Sequence, residues 1–327
     1  MLTMPSVYGP VPSWRLGRSL GIDVLLPPKT CTFDCVYCQL GPTIKKVSGP
    51  EELEGCVEVK TVLQDLRAAL ETIPLRSLDY ITFSGSGEPS LNPMLGRMID
   101  EMRSLTNGVP ISVLTNASLV SRKDVRMNLC KADLVVAKLD APNQQLFEAV
   151  NRPAKNITLS SIIEGLKLLR EEMNGRLALQ IMLFHSFQGP SKEDSIEALA
   201  QAASMIKPDE VQLNTPTRPP SEKFVLPLGA EELERISQKF REMLPTAHIL
   251  IRSSPKQSAP AEKRRIDEEE ILEVLKRRPC RLIDVAKAFG ADESQVRPII
   301  EKLVTSRKVI AIQVSDDIYY KALEITY

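Results

Sequence analysis

The sequence predicts an α/β protein, a partial (β/α)6 TIM-like barrel with a small C-terminal winged-helix domain, on three observations. Short β-rich apolar runs alternate with amphipathic helical stretches from about Ser19 to Ile251. Polar or Cys-rich segments follow the ends of several of these runs, and a Pro/Ser-rich stretch then precedes a compact unit with its own helix signals. Near-continuous apolar strands suit a parallel sheet covered by helices. Six β/α units in series suit a barrel or an incomplete barrel.

The elements follow in order. The strand runs are Leu20–Leu26, Tyr80–Ser84, Ile111–Thr115, Leu134–Leu139, Leu177–Phe184 and Glu210–Asn214. The helical patterns between them include Val62–Thr72, Met94–Leu105, Ser121–Cys130, Leu159–Met173, Ser195–Ile206 and Glu231–Met243. Residues 1–252 form the predicted barrel domain and residues 253–265, polar and without periodicity, a linker. In residues 266–327 a helix over Asp267–Arg277 carries Ile271, Leu272 and Leu275 on one face and acids in its first turn. A second helix, Leu282–Phe289, closes at Gly290 in a C′ position, and Asp292 caps a third over Glu293–Ser306. Val309–Val314 and Ile318–Lys321 flank a turn at Ser315-Asp316-Asp317. Three helices and a hairpin in this order resemble a winged-helix domain.

Bulk composition narrows the function classes. With 42 basic and 42 acidic side chains the formal charge is zero, so the whole chain shows no basic footprint for nucleic acid. The start, Met1-Leu2-Thr3-Met4-Pro5, lacks the basic and apolar stretches of a signal peptide, and no apolar run approaches the length of a membrane span. A cytoplasmic protein with no membrane partner is expected. Three of six cysteines fall within residues 31–38, which in a reducing compartment points to metal rather than disulfides.

That segment reads Lys29-Thr-Cys31-Thr-Phe-Asp-Cys35-Val-Tyr-Cys38-Gln-Leu-Gly41 and follows a predicted strand. Three thiolates on one loop converge on one centre, and soft sulfur ligands suit iron–sulfur clusters. Three protein ligands leave one iron of a 4Fe–4S cluster open, as a catalytic metal requires. Zinc is the alternative, but it needs a fourth ligand, and the only histidines are His185 and His248. A Cys35–Cys38 redox pair would leave Cys31 unexplained. Cys56, Cys130 and Cys280 are too scattered for a second cluster.

The spacing of three residues and then two, with Tyr37 before the third cysteine, resembles the radical S-adenosylmethionine (SAM) superfamily. The resemblance implies a 4Fe–4S cluster on Cys31, Cys35 and Cys38 whose open iron holds SAM, and cleavage to a 5′-deoxyadenosyl radical. It also implies a low-potential electron donor of the ferredoxin or flavodoxin type. Ser84-Gly85-Ser86-Gly87-Glu88-Pro89 ends the second strand, where family members bind the SAM amino group; here Gly85, Gly87, Glu88 and Pro89 are the candidates. An ordinary Gly-rich turn is the plainer reading. By the same resemblance Asn116, Lys138 and Asp140 at later strand ends serve the ribose and carboxylate of SAM; otherwise Lys138 and Asp140 form an ion pair or a helix cap. Gln180 and Asn214, polar residues in apolar strands, line the pocket if they point inward. Arg152 and Arg218 are candidate clamps for an anionic substrate, unless they are simply solvated.

Residues 8–23, Lys138-Leu-Asp-Ala-Pro142 and Asn151-Arg-Pro153 resemble a radical SAM group related to the wyosine tRNA base synthases. This chain lacks the extra cysteines that wyosine synthases carry before the core motif. The resemblance implies a macromolecular substrate, with RNA, tRNA above all, before a protein or peptide. Residues 266–327 hold 10 Lys/Arg and 12 Asp/Glu, a net of −2, and Pro298 falls inside the third helix. Arg297, Lys302, Arg307 and Lys308 would have to supply any basic strip. A cluster-bearing redox regulator with a DNA-binding tail is the rival reading, although a sensor needs no SAM pocket.

Overall fold

The computed structural model describes residues 4–186, 190–252, 266–314 and 316–323. One open sheet dominates: β1 (Val7–Ser13), β2 (Gly17–Ile22), β3 (Tyr80–Phe83), β4 (Ile111–Thr115), β5 (Leu134–Lys138), β6 (Arg176–Met182), β7 (Glu210–Asn214) and β8 (His248–Ile251), in that spatial order. Strand β1 is antiparallel to β2, and every later neighbour is parallel. The connecting helices are α1 (Val59–Thr72), α2 (Leu95–Thr106), α3 (Lys123–Leu129), α4 (Gln144–Asn151), α5 (Leu159–Glu172), α6 (Glu193–Ile206) and α7 (Ala230–Met243).

Alternation along the strands divides the sheet into two faces. Ile81, Phe83, Ile111, Val113, Val135, Ala137, Leu177, Leu179, Val211 and Leu213 point outward into the main core with the helices. The inner face carries a smaller apolar cluster of Leu16, Tyr80, Leu134, Val136 and Ala178. Around it runs polar chemistry: the hydroxyls of Ser19, Thr82 and Ser112 are linked at 2.6 and 2.7 Å. Lys138, Gln180 and Gln212 are register partners on β5, β6 and β7, so they lie side by side on this face.

Beyond the barrel come α8 (Glu268–Arg277), α9 (Leu282–Phe289), α10 (Glu293–Thr305) and the hairpin β9 (Val309–Val314) with β10 (Asp317–Ala322). Gly290 ends α9 in the left-handed region, and at the start of α10 the Asp292 amide donates to the Gln295 side chain. Pro298 sits on the exposed side of α10, which continues through it. The core of this unit, including Ile271, Leu275, Val285, Phe289 and Ile300, also takes in Tyr8 and Val11 of β1. Other contacts reach across the sheet's open side: Lys321 Nζ donates to Leu40 O at 3.0 Å, Tyr319 donates to Thr217 O and Arg218 Nε donates to Pro279 O at 3.0 Å.

The predicted partial barrel stands as a curled half-barrel sheet, with eight strands in place of six. Strand β1, Val-Tyr-Gly-Pro-Val-Pro-Ser, is absent from the expected runs, and as an edge strand beside β2 it tolerates proline. The run Leu20–Leu26 ends at Ile22, and Leu177–Phe184 breaks after Met182, with Phe184–His185 turning to pair with Leu226–Pro227. Helix α4 escapes periodicity because it has only eight residues; the Asn143 side chain caps it by accepting from Leu146 N at 2.9 Å. The linker at 253–265 and Ser315 of the hairpin turn lie outside the described residues. Among the described residues no helix is long and apolar enough to cross a membrane.

Candidate active site

The cysteine loop leaves the end of β2 and is held from two sides. Thr30–Cys31 pairs with Lys45–Lys46, and Thr30 bridges to Gly87. On the other flank Asp34 N donates to Asn151 O at 3.0 Å, Val36 N to Val150 O at 3.0 Å and Ala154 N to Thr32 O at 2.8 Å. Inside the loop Cys38 N closes a turn onto Cys35 O at 3.0 Å, and Gly41 continues at φ 87°.

Each sulfur meets an N–H donor. Asn116 Nδ2 lies 3.5 Å from Cys31 Sγ, Asn151 Nδ2 3.4 Å from Cys35 Sγ and Lys29 Nζ 3.2 Å from Cys38 Sγ. Burial pushes the Cys31 thiol far up, with the Glu88 carboxylate and the other two sulfurs adding to it. Burial, Asp140 and Cys38 likewise push Cys35 up to about 11. The three thiols thus feel one another directly, and a bound cation is what would hold them as thiolates. Among the described residues no trio of His, Cys, Asp or Glu closes on a single metal ion. A cluster seats each thiolate on a separate iron. The donor set fits the cluster.

Next to Cys35 lies a buried polar knot. Asp140 accepts from the Tyr37 hydroxyl, from Asn151 Nδ2 at 2.9 Å and from Met182 N at 2.8 Å. Burial and the Asp140 charge hold the Tyr37 hydroxyl well above its ordinary range, so it stays a donor. Lys138 Nζ sits 4.6 Å from the Tyr37 ring centre and 4.0 Å from Asp140, buried and without a hydrogen-bond acceptor. Asn116, Lys138, Asp140 and Asn151 line one small cavity with Phe33 and Phe147. The helix-cap reading of Asp140 is corrected, because Asn143 caps α4.

The Gly-rich loop after β3 packs beneath the cysteines. Gly85 has φ 151° against the Asp23 carboxylate, and a Cβ at Gly87 would overlap the Thr30 carbonyl. Pro89 begins a buried turn. Glu88 is expected to offer its carboxylate to an ammonium group. In the structure it is buried and accepts from Ser90 N at 3.0 Å, Thr115 Oγ1 at 2.6 Å and Asn116 N at 2.6 Å. Burial raises its pKa, opposed by those donors. Glu88 thereby ties the loop to the end of β4. Gly87→Ala is expected to destabilise the protein by about 1–3 kcal/mol through overpacking, read from the thermal unfolding midpoint.

The remaining candidates separate clearly. Gln180 points inward, with Nε2 3.4 Å from Gln212 Oε1. Asn214 is half-buried, and its side chain accepts from Thr215 N at 3.0 Å. The expected anion clamp at Arg152 is corrected: its guanidinium pairs with Glu222 at 2.6 Å. Arg218 is not solvated but packed against the C-terminal unit. The expected basic strip is largely neutralised, with Lys302 and Lys308 on Glu268 and Arg297 on Glu293.

Asn151 and Lys29 are functional candidates that sequence reasoning missed as donors to sulfur. Their signal was present: Asn151 opens the Asn-Arg-Pro motif and Lys29 stands two residues before Cys31. Asn151→Ala is expected to lower cluster affinity about 10–100-fold, the usual effect of losing a group that orients ligands. Iron retained against a chelator measures it, and unchanged retention would sink the idea.

A profile of the radical SAM superfamily matches residues 25–207, and the chain belongs to that superfamily. Its members bind a 4Fe–4S cluster and SAM. A UPF0026 protein of Methanocaldococcus jannaschii is 32% identical over 97% of this chain and 96% of its own length. A Brachyspira hyodysenteriae protein named GTPase Obg is 37% identical over 93% of this chain, which spans only 43% of that relative. A probable dual-specificity RNA methyltransferase RlmN of Prochlorococcus marinus is 22% identical over 56% of the chain and 51% of its own length. A radical SAM methyltransferase structure from Sphaerobacter thermophilus superposes with TM-score 0.50 at 18% identity, covering 71% of this chain and 65% of that one.

Proposed function

We propose that Cys31, Cys35 and Cys38 hold the cluster, that the inner face beside them holds SAM, and that the enzyme modifies an RNA, tRNA first. A bound cluster would supply the electron for reductive cleavage of SAM to methionine and 5′-deoxyadenosine, the added hydrogen coming from substrate. The residues supply placement. Asn116, Asn151 and Lys29 aim N–H groups at the sulfurs. The single observation that carries the SAM reading is the buried Lys138 ammonium, which lacks an acceptor beside the cysteine loop. A carboxylate such as that of SAM would complete it. Gln180 extends the polar lining, and Tyr37 with Asp140 fixes the wall opposite. Gly85, Gly87, Glu88 and Pro89 shape the loop that would receive the amino group.

RNA rests on the RlmN likeness and on the resemblance to wyosine synthases, with the three-helix and hairpin unit read as a winged helix. A ferredoxin or flavodoxin type of donor and a cytoplasmic setting complete the proposal. Anaerobic reconstitution followed by dithionite and SAM tests it, with 5′-deoxyadenosine as the readout. Added tRNA is expected to raise turnover and to carry away the modified nucleoside. Stimulation by protein extract but not by tRNA would favour a peptide substrate. No 5′-deoxyadenosine from a fully loaded cluster would overturn the enzyme reading.

A further inference from the structure

Three arginines from distant parts of the chain lie where the C-terminal unit closes on the sheet, with Arg278 in electrostatic reach of the other two. Arg15 lies in the β1–β2 turn, Arg218 in the loop after β7 and Arg278 directly after α8. The Arg15 guanidinium reaches across the inner face, with Nη1 3.3 Å from Gln212 Oε1. Arg218 spends its Nε on the Pro279 carbonyl. The Nε atoms of Arg15 and Arg278 are buried and have no acceptor. Among the described residues, none of the three guanidinium groups has a carboxylate partner at ion-pair distance.

Their mutual repulsion is plain. Burial lowers Arg15 to about 10 and Arg218 to about 9, and in both the next cause is the charge of Arg278. Neighbouring Arg277 shows what a settled buried arginine is like here, with Asp23 at 2.9 Å and Glu273 at 2.6 Å. Glu210 acts on Arg15 and Asp284 on Arg218 through space, but neither outweighs burial and the charge of Arg278; like charges drawn from water are costly. An anion would supply the missing charge, and guanidinium forks match phosphate oxygens in pairs.

We propose that Arg15, Arg218 and Arg278 form a binding site for a phosphate group carried by the substrate. Arg15 touches Gln212 on the inner face, and Gln212 is two strands from Lys138 on the same rung. Strand spacing puts that separation at roughly 10 Å, the scale of one nucleotide or a comparable phosphorylated molecule. The inference stands whether or not the substrate is RNA.

The full-length protein tests it by thermal unfolding against inorganic phosphate, with chloride holding ionic strength constant. The wild type is expected to gain stability saturably. Arg278→Gln is expected to shift half-saturation about tenfold or more, as the loss of a charged hydrogen bond implies. In chloride alone the same variant is expected to unfold no earlier than the wild type, because a repulsion has been removed. Arg15→Gln and Arg218→Gln, made separately, repeat the titration so that no single misfolded variant decides it. A nucleoside 5′-monophosphate and a dinucleoside phosphate then compete against inorganic phosphate, and whichever competes at the lower concentration identifies a monoester or diester source. No saturable shift in the wild type, or the same shift in all three variants, overturns the site.

Discussion

Cys35→Ala, reconstituted beside the wild type without oxygen, is expected to form no 5′-deoxyadenosine above background. The reason lies in the loop's construction. Cys35 is the middle ligand of the proposed three, and its sulfur takes a hydrogen bond from Asn151 within the knot that Asp140 and Tyr37 complete. With only Cys31 and Cys38 left, a 4Fe–4S cluster would lose one anchored corner besides its open iron. Loading should also depend on pH in a definite direction. Burial holds Cys35 at about 11 and Cys31 higher, so these groups are protonated in the metal-free protein at neutral pH. Binding must expel those protons, and loading therefore strengthens as pH rises. Iron content and visible absorbance at about pH 6 and about pH 8 check it. Equal loading at both, or turnover by Cys35→Ala, would remove Cys35 from the ligand set.

Arg277→Met is expected to destabilise the whole protein by about 3–5 kcal/mol, the effect of removing one partner from a buried charge network. Arg277 donates from Nε to Asp23 Oδ2 at 2.9 Å, from Nη1 to Glu273 Oε2 at 2.6 Å and from Nη2 to Pro5 O at 2.7 Å. It also lies 4.9 Å from the centre of the Tyr8 ring. Burial works to lower its pKa, but Asp23 and Glu273 prevail and raise it. Without it, among the described residues, Asp23 remains buried with no cation beside it, and Glu273 keeps only Lys276. The effect reaches the candidate site, because Asp23 Oδ2 also accepts from Ser86 N at 3.0 Å and Ser86 Oγ at 2.6 Å. The loop of Gly85 to Glu88 should therefore exchange its amide hydrogens faster in the variant. A thermal midpoint like the wild type's would show that the network contributes nothing. Asp23→Asn combined with Arg277→Met should cost less than the two single changes added, since each removes the other's orphaned charge.

Much of this architecture was legible because apolar runs report burial on both faces. Ile111–Thr115 and Glu210–Asn214 match their predicted strands to the residue. The proposed cysteine ligands were likewise legible, since a set confined to eight residues is local information. What escaped was long-range. Asn151 lies 116 residues from the sulfur it meets, and its sequence neighbourhood gives no sign of that partner. Glu88 shows the converse: its motif is local, but the donors from Thr115 and Asn116 that occupy its carboxylate come from the next strand. Arg15 and Arg278 were passed over because single arginines look solvated until the fold assembles them. The edge strand β1 was hidden by its prolines, which weaken a pattern that packing restores.

That edge strand also orders events in time. Tyr8 and Val11 complete their core only with Ile271, Leu275 and Phe289, which leave the ribosome some 260 residues later. At typical elongation rates of about 5–20 residues per second, the strand waits on the order of tens of seconds for its partners. During that interval the nascent sheet presents an unfinished apolar margin to the cell. Only the arrival of α8 and α9 covers that margin.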